Sequence, residues 1–159
     1  MRRIYLASSW RNEHQPRILT LLRGAGHEVY DFRNPQRPLP PWERDDGGVT
    51  LGMRLASGFS WREIDENWQS WTPEQYIAAV KHPRAEEGFT SDFDAMKWCD
   101  TCVLLLPSGP SAALELGWCA GAGRRTVVHV AGLREPDLMY KVADKFTLTD
   151  NELLSALET

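Results

Sequence analysis

Residues 101–123, TCVLLLPSGPSAALELGWCAGAG, constrain the fold more than any other part of the chain. They open on an unbroken apolar run, 102–106. A run without polar alternation, bounded by Pro and Gly, reads as a strand buried on both faces. A tight Pro-Ser-Gly-Pro loop follows. Residues 111–122 then read as a helix, with Pro110 or Ser111 at its start. Backbone N–H groups and hydroxyls at such a strand–loop–helix corner suit an anion. Glu115 sits about one turn into this helix. By itself it reads equally as an exposed helical carboxylate. Open α/β sheets bind ligands in the crevice at the C-terminal ends of their strands, and that position favours a functional Glu115.

The remaining pattern repeats this unit. Residues 3–7 form a short apolar strand. Ser9 or Asn12 is placed to cap a helix running to about Arg23, with Ile18, Leu19, Leu21 and Leu22 as its packing face and Gly24 and Gly26 at its end. Residues 27–32 read as a second strand and 125–130 as another. Residues 146–148 add a last short strand, and 151–157 a terminal helix capped by Thr149 or Asp150. This alternation predicts an α/β, Rossmann-like (flavodoxin-like) fold. Five parallel strands carry helices on both faces, and an inserted helical lid spans 34–89. The remainder of the 159 residues forms a single domain around that insertion.

Composition narrows the function. A net charge of −4 argues against coating nucleic acid or a membrane surface. No apolar run approaches the roughly 18 residues of a membrane span, and the first apolar segment is too short for a signal peptide. The three cysteines are odd in number and lie in core segments, which suggests a reducing cytoplasm. Cys99 and Cys102 form a Cys-x-x-Cys, but not at the helix N-terminus where redox pairs sit. No second pair or His cluster completes a metal site. The residues after the first strand, Ala-Ser-Ser-Trp, are not a dinucleotide fingerprint, so no cofactor is expected.

The insertion has two halves. The first is rich in Pro and Gly, has no apolar period, and reads as a mobile loop or lid. The second carries two capping boxes, Ser60–Glu63 and Thr72–Gln75, with Pro73 at the first helical position. Trp61, Ile64, Trp68 and Trp71 fall on one helical face, and Tyr76, Ile77 and Val80 on the next. Such a stripe packs as core, or serves as a wall that stacks a planar ligand. His82-Pro83 stops the second helix. Ser91-Asp-Phe-Asp94 then caps a helix running into Trp98, with Asp92 and Asp94 both near its N-terminus.

Together these residues resemble a family. Tyr5 in IYLAS, Asp92 eight residues before Asp100, and Glu115 in LELGW are similar to the nucleoside 2-deoxyribosyltransferases. That group includes the deoxynucleoside 5′-monophosphate N-glycosidases. DFRNP, GFSW and GFTSDFDAMKWCD resemble a phage- and bacteria-associated branch. The resemblance covers residues 1–32 and 91–130. It implies that Glu115 attacks the anomeric carbon of the sugar, that Asp92 serves the base or its proton, and that Tyr5 positions Glu115. It also implies a small nucleoside or nucleotide as partner, and a homodimer or larger oligomer. The sequence departs from the family at Gly109, where the transferases place an Asp, and in the shortened loop PSGPSAA. No equivalent of the C-terminal carboxylate or amide that the transferases lend a neighbouring subunit is found in NELLSALET.

The chemistry is that of retaining glycosidases. One carboxylate traps an oxocarbenium-like carbon and a second acid, about 5 Å away, serves the leaving group. Ser108, Gly109 and Ser111, with Ser9 and Arg11 on the neighbouring loop, are the expected substrate-binding residues. Ser111 reads alternatively as a helix cap only. Two competing readings remain: a module that binds or senses a nucleotide derivative without turnover, and a flavodoxin-like domain with no small ligand.

Overall fold

A computed structural model describes residues 1–35, 58–132 and 135–158. The chain divides into two compact units, Met1–Asp31 with Met96–Thr159, and Phe32–Ala95.

The first unit is built on five parallel strands: β1 (Arg3–Ala7), β2 (Glu28–Tyr30), β3 (Thr101–Leu106), β4 (Arg125–Val130) and β5 (Lys145–Thr147). Their order is β2-β1-β3-β4-β5. Ala7 pairs with Leu104, and Leu104 with Val128. β3 is central, which is why its sequence has no polar face.

Side chains alternate across the sheet and sort the core into two layers. Ile4, Leu6, Val103, Leu105 and Val127 pack on Ile18 and Leu22 of α1 (Gln15–Gly24). Leu153, Ala156 and Leu157 of α5 (Asp150–Glu158) join the same cluster. Each of these side chains is nearly or fully buried, worth about 1.5–3 kcal/mol for a large aliphatic group. The alternate residues Tyr5, Ala7, Cys102, Leu104 and Val128 face the other way. On that side α4 (Pro110–Gly121) packs over β1, β3 and β4, burying Ala112, Leu116 and Cys119.

Helix ends follow local chemistry. Thr149 and Glu152 form a reciprocal cap on α5, Thr149 Oγ1 accepting from the Glu152 N–H and Glu152 Oε2 from the Thr149 N–H. α1 starts later than its sequence suggests. The Asn12 carboxamide is engaged elsewhere, and the residue at the cap position, His14, makes no side-chain cap. α4 begins at Pro110 after an uncapped Gly109, so Ser111 lies inside the helix and is not its cap.

In the second unit both capping boxes form, at Ser60–Glu63 and Thr72–Gln75. α2 (Pro73–Val80) ends before His82-Pro83 as expected. Two expectations fail here. Trp61, Ile64, Trp68 and Trp71 do not share a helix; the chain makes two 3₁₀ turns, Trp61–Glu63 and Trp68–Ser70. Asp65 diverts it, accepting from the Asn67 N–H at 2.9 Å and from the Trp71 indole at 2.7 Å, an Asx-type competition with helix. The second failure is at Ser91. α3 runs unbroken over Pro83–Trp98, so Ser91 is internal and Asp92 does not stand at a helix N-terminus. Pro83 opens this helix without wasting a donor, and His82 Nδ1 accepts from the Arg84 N–H at 3.1 Å. Tyr76, Ile77 and Val80 of α2 stay largely exposed. The Pro- and Gly-rich half of the insertion, read as a loop or lid, lies mostly outside the described residues.

Candidate active site

Strand order places a switch point between β1 and β3, because the chain leaves β1 towards β2 and leaves β3 towards β4. The loops beyond these strands diverge and leave a crevice at the C-terminal edge. Ser9 and Arg11 stand on the first loop; Ser108, Gly109 and Ser111 stand at the second loop and the head of α4. Asn12 joins the two. Its side chain is 2% exposed, and its Nδ2 donates to the carbonyls of Leu105 at 3.1 Å and Pro107 at 2.9 Å. Its Oδ1 accepts from the His14 N–H at 2.9 Å. The chain beyond β4 closes in as well: a Cβ added at Gly132 would lie 3.0 Å from Pro107 Cδ and 3.8 Å from His14 Nε2.

The crevice has unspent hydrogen-bonding capacity. Ser8 Oγ and Ser108 Oγ, one on each loop, are buried without a hydrogen-bond partner among the described residues. Buried hydroxyls are normally paired, so such atoms call for a ligand or water. The first amides of α4 precede its hydrogen-bond ladder and carry the positive end of its dipole.

Tyr5 and Glu115 belong to the same side of the sheet. Tyr5 is fully buried in β1 and stacks on Tyr30, centroids 5.4 Å apart at 16°. Glu115 is half-buried, three residues after Ala112 and four before Cys119, on the flank of α4 that faces the strands. Its charge reaches that interior. The Cys119 thiol is pushed well above its ordinary value, first by a hydrogen bond with Cys102, with burial and the Glu115 carboxylate adding to it. Asp92 stands on α3 in the second unit, half-buried, beside Phe93, which stacks on Phe89 at 5.2 Å.

The sequence reading did not select Ser8, passed over Asn12 as a helix cap, and missed a buried carboxylate, Asp31. Asp31 ends the β2 segment and accepts from Gln15 Nε2 at 2.8 Å. An acid straight after an edge strand that borders β1 was the available signal. All three cysteines are free and buried. The Cys99 thiol is raised first by its hydrogen bond with Cys119 and then by burial, which argues against a reactive Cys-x-x-Cys. Among the described residues no group of three His, Cys, Asp or Glu side chains is arranged to hold a metal ion.

The five-stranded parallel sheet with its helices is a Rossmann-like α/β fold, with its switch point between β1 and β3. Among solved structures, a 2-deoxyribosyltransferase from Bacillus psychrosaccharolyticus shares this fold, with a TM-score of 0.58 and 20% identity over 95% of this chain and 89% of that one. The CMP N-glycosidase BcmB of Clostridium botulinum aligns with a TM-score of 0.47 and 15% identity over 99% of both chains. No protein-family model matches the sequence, and no curated protein matches it.

Proposed function

We propose that this protein is an enzyme that cleaves the N-glycosidic bond of a nucleoside or nucleoside 5′-monophosphate. The observation that carries the reading is Glu115, on the strand-facing flank of α4 and on the same sheet face as Tyr5. On the loops after β1 and β3, Ser8 Oγ and Ser108 Oγ are buried without a hydrogen-bond partner among the described residues. In the proposed mechanism a Glu115 oxygen bonds to the anomeric carbon as the bond from that carbon to the base nitrogen breaks. The base departs with its electron pair and takes a proton or hydrogen bond from Asp92. Water, or a second base, then displaces Glu115 from the sugar. Tyr5 orients Glu115. Ser108, Gly109 and Ser111, with Ser9 and Arg11, receive the sugar's polar end or a 5′-phosphate. The similarity of fold to a 2-deoxyribosyltransferase agrees with this chemistry.

The outward face of α4 carries exposed Leu114, and added Cβ atoms at Gly117 and Gly121 would meet nothing within 4 Å. A second copy packs there in the proposed homodimer or larger oligomer; a monomer in sedimentation at micromolar concentration counts against it. Three free buried thiols suit a reducing cytoplasm. No helix among the described residues is long and apolar enough to cross a membrane.

The test is mass spectrometry of protein quenched during turnover of a panel of nucleosides and nucleotides, with a 2-fluorinated sugar to slow breakdown of the adduct. A sugar adduct on Glu115 is expected. Glu115→Ala should abolish base release with its thermal transition intact, since a half-exposed carboxylate contributes little to the core. Asp92→Asn should slow poor leaving bases more than activated ones, and Tyr5→Phe should cost less than either. Full activity in Glu115→Ala refutes the mechanism. Binding without turnover by the wild type establishes a sensor instead.

A further inference from the structure

The second unit holds a cavity that the proposed chemistry does not use. It has a volume of about 380 Å³, at the small end of ligand pockets, and is lined by Trp61, Trp68, Gln69, Trp71, Thr72, Pro73 and Tyr76. None of these residues is charged, and four are aromatic. The capping box on Thr72 fixes the start of α2, and with it Pro73 and Tyr76.

The arrangement of rings selects the ligand. Trp61 and Trp71 stand nearly perpendicular, 81° between planes with centroids 5.7 Å apart, and Phe59 backs Trp61 at 84° and 4.8 Å. A flat base can stack on one ring but is sandwiched only between parallel ones, and these two rings stand at 81° to each other. A corner of indole faces suits a compact cation, which gains from the negative face of each ring.

A carboxylate is hydrogen-bonded to one of these rings. The Trp71 indole N–H donates to Asp65 at 2.7 Å, so a carboxylate lies on the edge of one wall and enriches its ring. Asp65 is held ionised, below its ordinary value, first by the Asn67 amide and then by Trp71. Glu74, beside Pro73, is likewise lowered, by its own backbone amide first and by Thr72 second. The unit already contains contacts of this kind, and in one the Arg84 guanidinium lies 5.6 Å from the Phe59 ring centroid while pairing with Glu63 at 2.6 Å. Arg84 is thereby occupied outside the cavity.

We infer that the Trp61–Trp68–Trp71–Tyr76 cavity is a binding site for a small organic cation of the quaternary-ammonium class. The cavity takes the alkylated ammonium head. Gln69 and Thr72 are the polar groups at hand for a neutral substituent. This site is independent of the glycosidic reading, and its test does not use turnover.

The experiment titrates the full-length protein with choline and, separately, with 3,3-dimethylbutan-1-ol, a neutral molecule of the same shape. Ligand N-methyl proton shifts and tryptophan fluorescence are followed together. Choline is expected to bind with its methyl signal moved upfield by the indole rings, and about tenfold more tightly than the alcohol. Trp68→Ala should abolish this shift. Asp65→Asn keeps an acceptor for Trp71 and should weaken choline roughly fivefold while leaving the alcohol unchanged. Equal affinity for the two probes, or no upfield shift, overturns the inference. So does a neutral nucleoside that displaces choline and binds more tightly.

Discussion

Asn12→Ala is the sharpest test of how the crevice is held together. The substitution deletes one carboxamide that makes three hydrogen bonds, to the carbonyls of Leu105 and Pro107 and from the His14 amide. At 2% exposure the site gives water little access to replace them. With about 0.5–1.5 kcal/mol lost per bond, and more where a carbonyl is left dry, the expected cost is about 2–4 kcal/mol. Domains unfold with only about 5–15 kcal/mol, so this is a large fraction. In a chain of this length it lowers the Tm by roughly 5–15 °C. Urea unfolding followed by far-UV circular dichroism measures it, with wild type and Ser9→Ala run beside it. Ser9 Oγ accepts from the Arg11 amide at 3.2 Å, an exposed bond between residues two apart, so its variant should shift less. A cost below about 1 kcal/mol for Asn12→Ala would refute the reasoning. It would mean that the two loops are positioned by their strands alone.

Gly88→Ala should destabilise the second unit by about 1–3 kcal/mol despite the better helix former, because the new methyl would lie 2.5 Å from Phe59 Cβ. Phe59 Cβ moves only with its backbone, so thermal melts should show the loss; an unchanged Tm argues against the contact. Stability should also fall as pH drops below about 6.5. Burial lowers the His129 pKa, opposed by Asp150 at 4.0 Å from Nε2, with Arg17, Glu152 and His14 also acting. A lowered folded pKa means that the unfolded chain takes up the proton first, so His129's contribution is full above 6.5 and lost on acidification. His27 is shifted the same way, first by burial. His129→Gln with His27→Gln as comparison separates them, and a pH profile unchanged in His129→Gln rejects the assignment.

Where the sequence was readable, a local rule and a tertiary need agreed. TCVLLL could only be a strand covered on both faces, and it is the central one. The boxes at Ser60 and Thr72 formed because capping involves neighbours three residues apart. The alternation also foretold which loops meet, and so the pairing of the Ser9 and Ser108 loops. Reading failed where a side chain acted at a distance. Asn12 looks like a cap, but its partners lie 93 and 95 residues on. The tryptophan spacing fits a helix until Asp65 takes the Trp71 indole, a bond that no periodicity contains. Ser91-Asp-Phe-Asp resembles a helix start, yet a helix already begun at Pro83 passes through it.

The buried cysteines supply a clock. Cys102 lies in the sheet beneath α4, Cys119 faces it from the helix, and Cys99 completes the cluster, all at 0% exposure. A thiol reagent needs a thiolate in contact with solvent, so modification must wait until α4 lifts from the strands. The labelling rate therefore times the opening of the helix that bears Glu115, without any probe being introduced. A ligand seated against the head of α4 should slow that clock in proportion to its occupancy, which turns three inert residues into a binding assay for the proposed nucleoside or nucleotide.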